Sequence, residues 1–340
     1  MTDLRTPVSF GKSGLMVSPM CLGTMMFGGA TPDSDAKTIA DMALEQGVFF
    51  WDTADMYSTG SSEEVCGKLL QGRRNDVVLA TKVFATMSDR PNDRGLSARH
   101  IIHACEQSLR RLQTDWIDLY YLHFPDKAPI EETLRAMEDL CRSGKVRYIA
   151  CSNYRAWQIA GLIHKAKEQK WQPISAVQPL YNIVNRDIEV ELLPMTDHYG
   201  LGVASYSSLA RGILTGKYGG GVVPKNSRLD RKDRRFLQAE YRTESIDVAE
   251  KMIPLAQRLD CTRSQLATRW AMANQSIHSV IIGPRTIEQA KDALGTLDVS
   301  WDQEAEDTID ELIPPGCHSG KAFFDDNYAP VLGRNPSFTT

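Results

Sequence analysis

The sequence predicts a single closed (β/α)8 barrel, and three observations favour that fold class. The chain has 340 residues, which is an ordinary length for this fold. Apolar residues make up 42% of the chain and charged residues 24%, close to the average for a soluble globular protein. Short apolar, β-branched runs alternate with longer stretches of helical period, which is typical of parallel strands joined by helices.

Eight short runs are predicted to be the strands of this barrel. Each is rich in β-branched and aromatic residues and leads into a helical stretch. In chain order they are 20–24, 48–52, 77–82, 117–123, 146–152, 175–180, 202–207 and 279–283. Eight strands with eight helices form a TIM barrel, which we place at about residues 20–298.

The helical stretches between the strands carry one apolar face each, which is expected to pack on the outside of the barrel. The stretch 62–71 is predicted to begin at a capping box formed by Ser61 and Glu64. In the stretch 97–112 the apolar residues recur at helical spacing, at Ile101, Cys105, Leu109 and Leu112.

Three segments fall outside this alternation, and the whole chain 1–340 is still expected to be one domain. Residues 7–18 are predicted to form a β-hairpin that turns at Gly11–Gly14 and plugs the barrel floor. Residues 208–243 form a long loop after the seventh strand. The C-terminal segment 300–340 is predicted to hold an extra helix at 300–313, with Ser300 and Gln303 in capping-box spacing, and then a Gly-rich, aromatic tail.

Charge and hydropathy exclude several classes of function. The chain has 39 Lys+Arg and 43 Asp+Glu, a net charge of -4, so it lacks the basic footprint of a nucleic-acid binder. No apolar run approaches the roughly 18 residues of a membrane helix, and the N-terminus lacks the apolar stretch of a signal peptide. The seven scattered cysteines form no C-x-x-C pair, which indicates reduced thiols, a cytoplasmic protein and no metal site.

Ionisable and polar side chains stand at the ends of four predicted strands. Active sites of this fold lie where strands end and the following loops begin, so these side chains are expected to meet at the barrel mouth. They are Asp52, with Tyr57 shortly after it, Lys82, His123 and the pair Ser152-Asn153.

A Lys–Asp pair beside a tyrosine hydroxyl has a clear chemical use. If Lys82 and Asp52 are buried, each charge requires the other as its ion-pair partner. The Lys82 cation is also expected to lower the pKa of Tyr57 from about 10, so that Tyr57 exchanges a proton near neutral pH. His123 beside them can hydrogen-bond a carbonyl oxygen and orient it. The alternative is that Asp52 and Lys82 form only an internal ion pair that holds the barrel mouth.

Seven motifs in chain order resemble those of the aldo-keto reductases. The resemblance covers about residues 8–313 and is closest to the bacterial and potassium-channel β-subunit-like branch of that superfamily. The motifs are Gly23-Thr24-Met25, WDTADMYSTGSSEE (51–64), ATK (80–82), LHFPD (122–126), CSN (151–153), VQPLYN (177–182) and SYSSLARGILTGKY (205–218).

The resemblance implies a role for each residue of the site. Tyr57 matches the family's general acid, Asp52 and Lys82 match the pair that tunes it, and His123 matches the residue that positions the substrate carbonyl. The residues that match the family's cofactor contacts are Gly23, Thr24, Met25, Asp52, Ser152, Asn153, Gln178, Tyr206, Ser207, Ser208, Leu209, Ala210, Arg211, Gly212, Lys217, Gly283, Arg285 and Gln289.

The implied function is the reversible NADPH-dependent reduction of an aldehyde or ketone to an alcohol. Arg285 is expected to pair with the 2′-phosphate that distinguishes NADPH from NADH, so NADPH/NADP+ is favoured over NADH. For Arg285 the alternative is an exposed ion pair with Glu288. The expected partner is a small carbonyl or alcohol substrate, and neither nucleic acid nor a membrane is expected to bind. Whether the protein forms a homo-oligomer is left open by the sequence.

Two other functions fit the same barrel. One is a cofactor-binding, redox-sensing regulatory subunit with little turnover; the channel-associated branch carries an N-terminal extension, and this chain starts close to the hairpin. The other is a phosphosugar isomerase or lyase, because the fold alone does not decide the function. Such an enzyme would not need the set Tyr57, Lys82 and Asp52.

The chain also departs from the family pattern. Relatives often place an acid and an amide about one turn after the residue that matches Gln289. This chain has Asp292 and then Ala293, so one adenine contact is expected to be missing.

Two further charged features are given no role by the resemblance. Asp55 is expected to be a loop-capping acid. The basic stretch 225–235 is a solvated loop or, alternatively, a lid over a dinucleotide phosphate.

Overall fold

The computed structural model describes residues 3–221, 223–225, 227–233, 236–237 and 240–320. Eight parallel strands close into a barrel in which the last strand pairs with the first. This confirms the predicted fold class. The barrel strands are β3 (Met20–Gly23), β4 (Phe50–Asp52), β5 (Val78–Val83), β6 (Ile117–Leu122), β7 (Val146–Ser152), β8 (Ile174–Gln178), β9 (Gly202–Ser205) and β10 (Ser279–Ile282).

Helices surround the barrel and cover the outer faces of its strands. None of those in the described ranges is long and apolar enough to cross a membrane. They are α1 (Asp33–Glu45), α2 (Ser61–Leu69), α3 (Ala98–Leu112), α4 (Ile130–Arg142), α5 (Ala156–Gln169), α6 (Leu192–Tyr199), α7 (Thr243–Lys251), α8 (Ile253–Arg258), α9 (Arg263–Ala273), α10 (Ile287–Gly295) and α11 (Gln303–Leu312).

Both predicted capping boxes are wrong, although the helices themselves form. A 3₁₀ turn (Tyr57–Gly60) runs directly into α2, so the cap position falls on Gly60 at φ 95° and Ser61 is already helical. At α11 the cap is Asp302, whose carboxylate accepts the Ala305 N–H at 2.8 Å. Arg258 also holds that carboxylate, with two bonds of 2.8 and 2.9 Å. Ser300 lies two residues too early to serve.

The N-terminal hairpin closes the barrel floor, as predicted. Strands β1 (Val8–Ser9) and β2 (Met16–Val17) pair antiparallel. Beyond β1 the Phe10 ring is completely buried inside the barrel, with its centroid 5.7 Å from that of Phe50. Gly11 follows at φ 61°, and a Cβ there would lie only 2.4 Å from the Gly202 nitrogen. The close approach of the hairpin to β9 therefore requires glycine.

We expect Phe10→Ala to destabilise the protein by about 3–5 kcal/mol, because it removes a whole buried ring from a closed space. Urea denaturation measures the change in the free energy of unfolding. The control is Met16→Ala in the same hairpin; its side chain is 45% exposed, so its effect should stay within about 0.5 kcal/mol. Equal effects of the two substitutions would show that the hairpin does not plug the barrel.

The barrel interior explains how the strands present polar groups at the mouth. Successive side chains alternate between the two faces of a strand, so residues two apart point the same way. The inward-facing core consists of Phe10, Val17, Cys21, Phe50, Ala80, Leu119, Tyr121, Ala150, Ala176 and Ala204. Counting two residues onward from seven of these gives Gly23, Asp52, Lys82, His123, Ser152, Gln178 and Tyr206. One layer of side chains above the core is therefore the candidate site.

The last described residues, up to position 320, reach the loop after β8. The Ser319 N–H donates to the Val184 carbonyl at 3.0 Å, and the Arg186 N–H donates to the Cys317 carbonyl at 2.9 Å. The tail predicted after residue 313 lies outside the described residues from position 321 onward.

Candidate active site

Asp52, Tyr57 and Lys82 form one cluster at the bottom of the barrel mouth, with Asp52 and Lys82 buried and Tyr57 half-buried. The Lys82 side chain is completely buried, and its Nζ donates to Asp52 Oδ2 at 2.5 Å, to the Thr53 carbonyl at 2.7 Å and to the Tyr57 hydroxyl at 3.1 Å. Gln178 Nε2 donates to the other Asp52 oxygen at 2.8 Å. The ammonium thus has three acceptors, and Asp52 is held through both of its oxygens.

The charges of this cluster are set by burial and by the neighbours together. Burial alone would lower the pKa of Lys82, but Asp52 and Tyr57 raise it to about 12, so the side chain stays charged. Burial also raises the pKa of Tyr57 above its ordinary value, and Lys82 opposes this only in part. The predicted lowering of the Tyr57 pKa is therefore wrong. Tyr57 is protonated at neutral pH, as a proton donor must be.

His123 completes the cluster on the neighbouring strand. Its ring meets the Tyr57 ring edge to face, with centroids 6.2 Å apart, and stacks on Phe124 at 4.8 Å. Its backbone carbonyl accepts Asn153 Nδ2 at 2.9 Å. The structure thus brings the four predicted catalytic residues together, with His123 and Tyr57 sharing one side of the mouth.

Ser152, Asn153, Gln178 and Tyr206 form a hydrogen-bonded wall that continues around the mouth from His123. Ser152 Oγ donates to the Gln178 carbonyl at 2.8 Å. The Tyr206 hydroxyl donates to Asn153 Oδ1 at 2.7 Å. The contacts fix the planes of two amides and one aromatic ring, which is the donor and stacking set that a nicotinamide carboxamide and ring would need.

Left-handed backbone conformations in residues other than glycine gather at this end of the barrel. They cost about 1–3 kcal/mol each and are concentrated at functional sites in proteins. Two of them, Ser58 and Thr59, lie in the turn that carries Tyr57. The others at the mouth are Asn153, Ser207, Ala210 and Arg211. The loops after β4, β7 and β9 are therefore held in strained shapes next to the predicted site residues.

The loop after β9 is anchored by an acid that the sequence gave no reason to single out. Glu240 is completely buried. It accepts Asn185 Nδ2 at 3.0 Å and the Ser207 hydroxyl at 3.4 Å, and Arg211 Nε lies 4.0 Å away. Glu240 thus ties the tight turn at 207–212 to the loop after β8. No motif surrounds it in the chain, so only the structure identifies it.

Four cations cluster at the far side of this loop, beside the end of β10. Burial lowers the pKa of Lys217, and Arg228, Arg285 and Arg231 lower it further in that order. Lys217 and Arg285 were predicted cofactor residues, whereas Arg228 and Arg231 come from the basic stretch at 225–235. That stretch is therefore close to the predicted phosphate-binding residues; its positions 226, 234 and 235 lie outside the described residues.

Arg285 leads from β10 into α10 and is not engaged with Glu288. Its backbone N–H donates to Gln289 Oε1 at 2.8 Å, and its carbonyl accepts the Thr31 hydroxyl at 2.9 Å. The pKa of Glu288 is lowered first by its own backbone N–H and then by Thr286, not by Arg285. The sequence-based alternative of an Arg285–Glu288 surface pair is thus not what forms.

The remaining predicted cofactor residues differ in their surroundings, from completely buried to open. The Thr24 hydroxyl is completely buried and donates to the Asp52 carbonyl at 3.1 Å. Ser208 Oγ lies 3.2 Å from Thr268 Oγ1. A Cβ on Gly23 would lie 2.8 Å from Ile281. Met25 is 39% exposed. Leu209 packs against the core, and nothing lies within 4 Å of a Cβ built on Gly283.

The structure assigns contacts to Asp292 and contradicts the expected role of Asp55. Asp292 accepts the Thr262 hydroxyl at 2.7 Å, and its carbonyl accepts Gln265 Nε2 at 3.0 Å, so it secures the start of α9. Asp55 caps no loop: its carboxyl is completely buried and makes no hydrogen bond to the described residues. The described ranges also contain no cluster of three or more His, Cys, Asp or Glu side chains that could hold a metal.

The fold and this site define the protein as an oxidoreductase of the aldo/keto reductase type. The aldo/keto reductase family model matches residues 19–314, and the chain belongs to that family. Members generally use a nicotinamide cofactor and act on small carbonyl substrates.

Individual relatives come from both branches that the motifs resemble. The chain is 38% identical over 327 residues to an uncharacterized oxidoreductase, YrpG, of Bacillus subtilis (strain 168), covering 92% of this chain and 98% of the relative. It is 36% identical over 300 residues to a probable voltage-gated potassium channel subunit beta of Arabidopsis thaliana, and 35% over 298 residues to one of Oryza sativa subsp. japonica. Both matches cover 86% of this chain and 90% of the relative.

Proposed function

We propose that the protein reduces aldehydes or ketones with NADPH and that Tyr57 donates the proton. The observation that carries this proposal is the contact of one buried ammonium, that of Lys82, with both the Asp52 carboxylate and the Tyr57 hydroxyl. An ion pair that served stability alone would not need a tyrosine hydroxyl as its third partner. A bound reduced nicotinamide supplies the hydride for the carbonyl carbon.

The side chains at the barrel mouth donate the proton, stabilise the charge that develops and orient the substrate. As negative charge develops on the substrate oxygen, Tyr57 gives it a proton, and the Lys82 ammonium at 3.1 Å stabilises the tyrosinate that is left. Asp52 keeps Lys82 charged and in place. His123 directs the carbonyl oxygen toward Tyr57 with a hydrogen bond, and its stacking on Phe124 holds the imidazole plane.

The rim of the mouth favours an apolar carbonyl substrate. Met25 and Met56 follow the ends of β3 and β4 and are 39% and 42% exposed. Phe84 and Phe124 follow β5 and β6, with ring centroids 5.5 Å apart. Apolar side chains thus surround the polar centre, as in most small-molecule sites. Flexible methionines accommodate substrates of different shape.

The charge pattern at the far end fits a phosphorylated dinucleotide. Ser152, Asn153 and Gln178 would hold the nicotinamide amide, and Tyr206 would stack on its ring. Lys217, Arg228, Arg231 and Arg285 gather positive charge there: burial lowers the pKa of Lys217 most, and the like charges of the three arginines lower it further. A dianionic 2′-phosphate relieves that repulsion, which NADH cannot do.

We therefore expect Arg285→Ala to raise the Kd for NADPH by at least about tenfold, because a charge-assisted hydrogen bond contributes roughly 1.5–3 kcal/mol. The Kd for NADH should stay nearly unchanged. Fluorescence titration of wild type and variant with both cofactors measures this. The matched control is Arg269→Ala, since Arg269 lies over Trp301 and donates to the Val299 carbonyl. If the Kd rises equally for both cofactors, or if wild type binds NADH more tightly than NADPH, the assignment of NADPH as the cofactor is wrong.

The second candidate function is a redox-sensing regulatory subunit, favoured by the names of the two plant relatives. It predicts tight NADPH binding with negligible turnover. A screen of apolar aldehydes and ketones that follows the loss of NADPH absorbance separates the two functions. Turnover of any of them at enzymatic rates supports the reductase.

A further inference from the structure

Asp55 is a buried acid, two residues before Tyr57, for which the proposed chemistry has no use. Its side chain is completely buried, and neither carboxyl oxygen forms a hydrogen bond to the described residues. The backbone N–H of Met56 lowers the pKa of the carboxyl, but less than burial and Glu63 raise it. The Asp55 N–H donates to the Lys82 carbonyl at 3.3 Å, so the residue is fixed beside the strand that carries the catalytic lysine.

The cations near Asp55 are already committed to other acids. Arg111 on α3 donates from Nε to Glu63 Oε2 at 2.7 Å. Lys82 donates to Asp52, as described above. The titratable groups that face Asp55 from the elements packed on it are Glu63 on α2, Arg111 on α3, Lys82 on β5 and Tyr120 on β6.

Glu63 makes an anionic Asp55 costly. Glu63 is itself completely buried, and its second oxygen accepts the Thr81 hydroxyl at 2.5 Å. One guanidinium therefore has one carboxylate partner, and an ionised Asp55 would be a second buried carboxylate without a contacting cation. Burial first and Glu63 second raise the pKa of Asp55 to about 8.

We propose that Asp55 is a neutral carboxylic acid at neutral pH and a positioning residue, whose ionisation in alkali adds a negative charge near Lys82 and weakens Tyr57 as an acid. While Asp55 is neutral, Lys82 is balanced by Asp52 alone. An added negative charge favours protonated Tyr57, because it disfavours the tyrosinate. The effect on Tyr57 rests on the proposed function; the protonation of Asp55 does not.

Infrared spectroscopy tests the protonation directly. At about pH 6, wild type should show the carbonyl band of a buried protonated carboxylic acid, and this band should disappear as the pH is raised through about 8. Asp55→Asn should lack the band. The matched control Glu138→Gln, at a buried acid on α4 that is paired with Arg142 and does not act on Asp55, should keep it. A wild type without the band, or one whose band survives in Asp55→Asn, overturns the proposal.

Stability against pH gives a second readout that needs no activity. The folded protein keeps a proton on Asp55 up to about pH 8, whereas the unfolded chain loses it near its ordinary value of about 3.9. Stability from this group therefore falls as the pH rises between these values. The Tm of Asp55→Asn minus that of wild type should grow from about pH 5 to about pH 8. A difference that shrinks overturns the proposal. Asp55→Leu, also neutral and of similar size, replaces the amide variant if that fails to fold.

The pH profile of alcohol oxidation tests the link to Tyr57. In that direction tyrosinate takes the proton, so kcat rises with pH. Asp55→Asn lacks the added negative charge, so the kcat of this variant should rise at a pH about one unit lower than the kcat of wild type. Identical profiles overturn the positioning role even if the infrared band is present. Absence of turnover in wild type would instead contradict the proposed function and leave the infrared and Tm results to decide the protonation of Asp55.

Discussion

Tyr57→Phe should lower kcat for carbonyl reduction by at least about 100-fold, since general acid–base catalysis contributes about 10²–10⁴-fold. The substitution removes one hydroxyl, which accepts from Lys82 at 3.1 Å, and leaves the ring against His123. The cofactor residues are untouched, so the Kd for NADPH should stay within a few-fold. Steady-state kinetics and fluorescence titration measure the two quantities.

The control for this prediction is Tyr199→Phe, which also removes one tyrosine hydroxyl. That hydroxyl lies 3.0 Å from His164 Nε2 on the outer surface, so kcat should not change. If Tyr57→Phe keeps a tenth or more of the wild-type kcat, Tyr57 is not the proton donor. If it abolishes NADPH binding as well, the loss of kcat reports a disturbed site.

Lys82→Met should lower kcat by a comparable factor and also destabilise the fold. The tyrosinate left after proton transfer then has no cation beside it. Asp52 is also left as a buried carboxylate without its ion-pair partner, and breaking a buried pair costs about 3–5 kcal/mol. Kinetics and urea denaturation of the same preparation measure the two losses.

A double variant separates the two roles of Lys82. Asp52→Asn together with Lys82→Met removes both buried charges, so it should recover most of the lost stability. It should not recover kcat, because no cation stabilises the tyrosinate. If the double variant regains turnover as well, the Asp52–Lys82 pair only holds the barrel mouth, which is the alternative that the sequence left open.

The position of the site was predictable because strand geometry is nearly independent of the rest of the fold. Once β4, β5 and β6 are recognised, the twofold alternation of side chains places Asp52, Lys82 and His123 in one layer above the barrel core. The same argument holds for Gln178 at the end of β8. Each of these inferences needs only the end of one strand.

The sequence-based predictions that are wrong concern properties that depend on several structural elements at once. The direction of the Tyr57 pKa depends on how far the Tyr57 hydroxyl is shielded from water, which no local sequence pattern reports. The Ser61 capping box fails because the turn at 57–60 joins α2 directly. In the chain, Asp55 has the pattern of a loop acid. Only the folded structure shows that it faces Glu63 on α2, while Arg111 on α3 is already paired with Glu63.

Transfer of deuterium tests the central claim most directly, namely that this barrel mouth reduces a carbonyl with NADPH and takes the proton from Tyr57. The reaction uses NADPH deuterated at the transferable nicotinamide position and para-nitrobenzaldehyde as an apolar probe, with mass spectrometry of the alcohol. Wild type should form alcohol that carries the deuterium on the former carbonyl carbon, and Tyr57→Phe should form almost none in the same time. Alcohol without deuterium, or no alcohol from any aldehyde by a wild type that binds NADPH, would contradict the account.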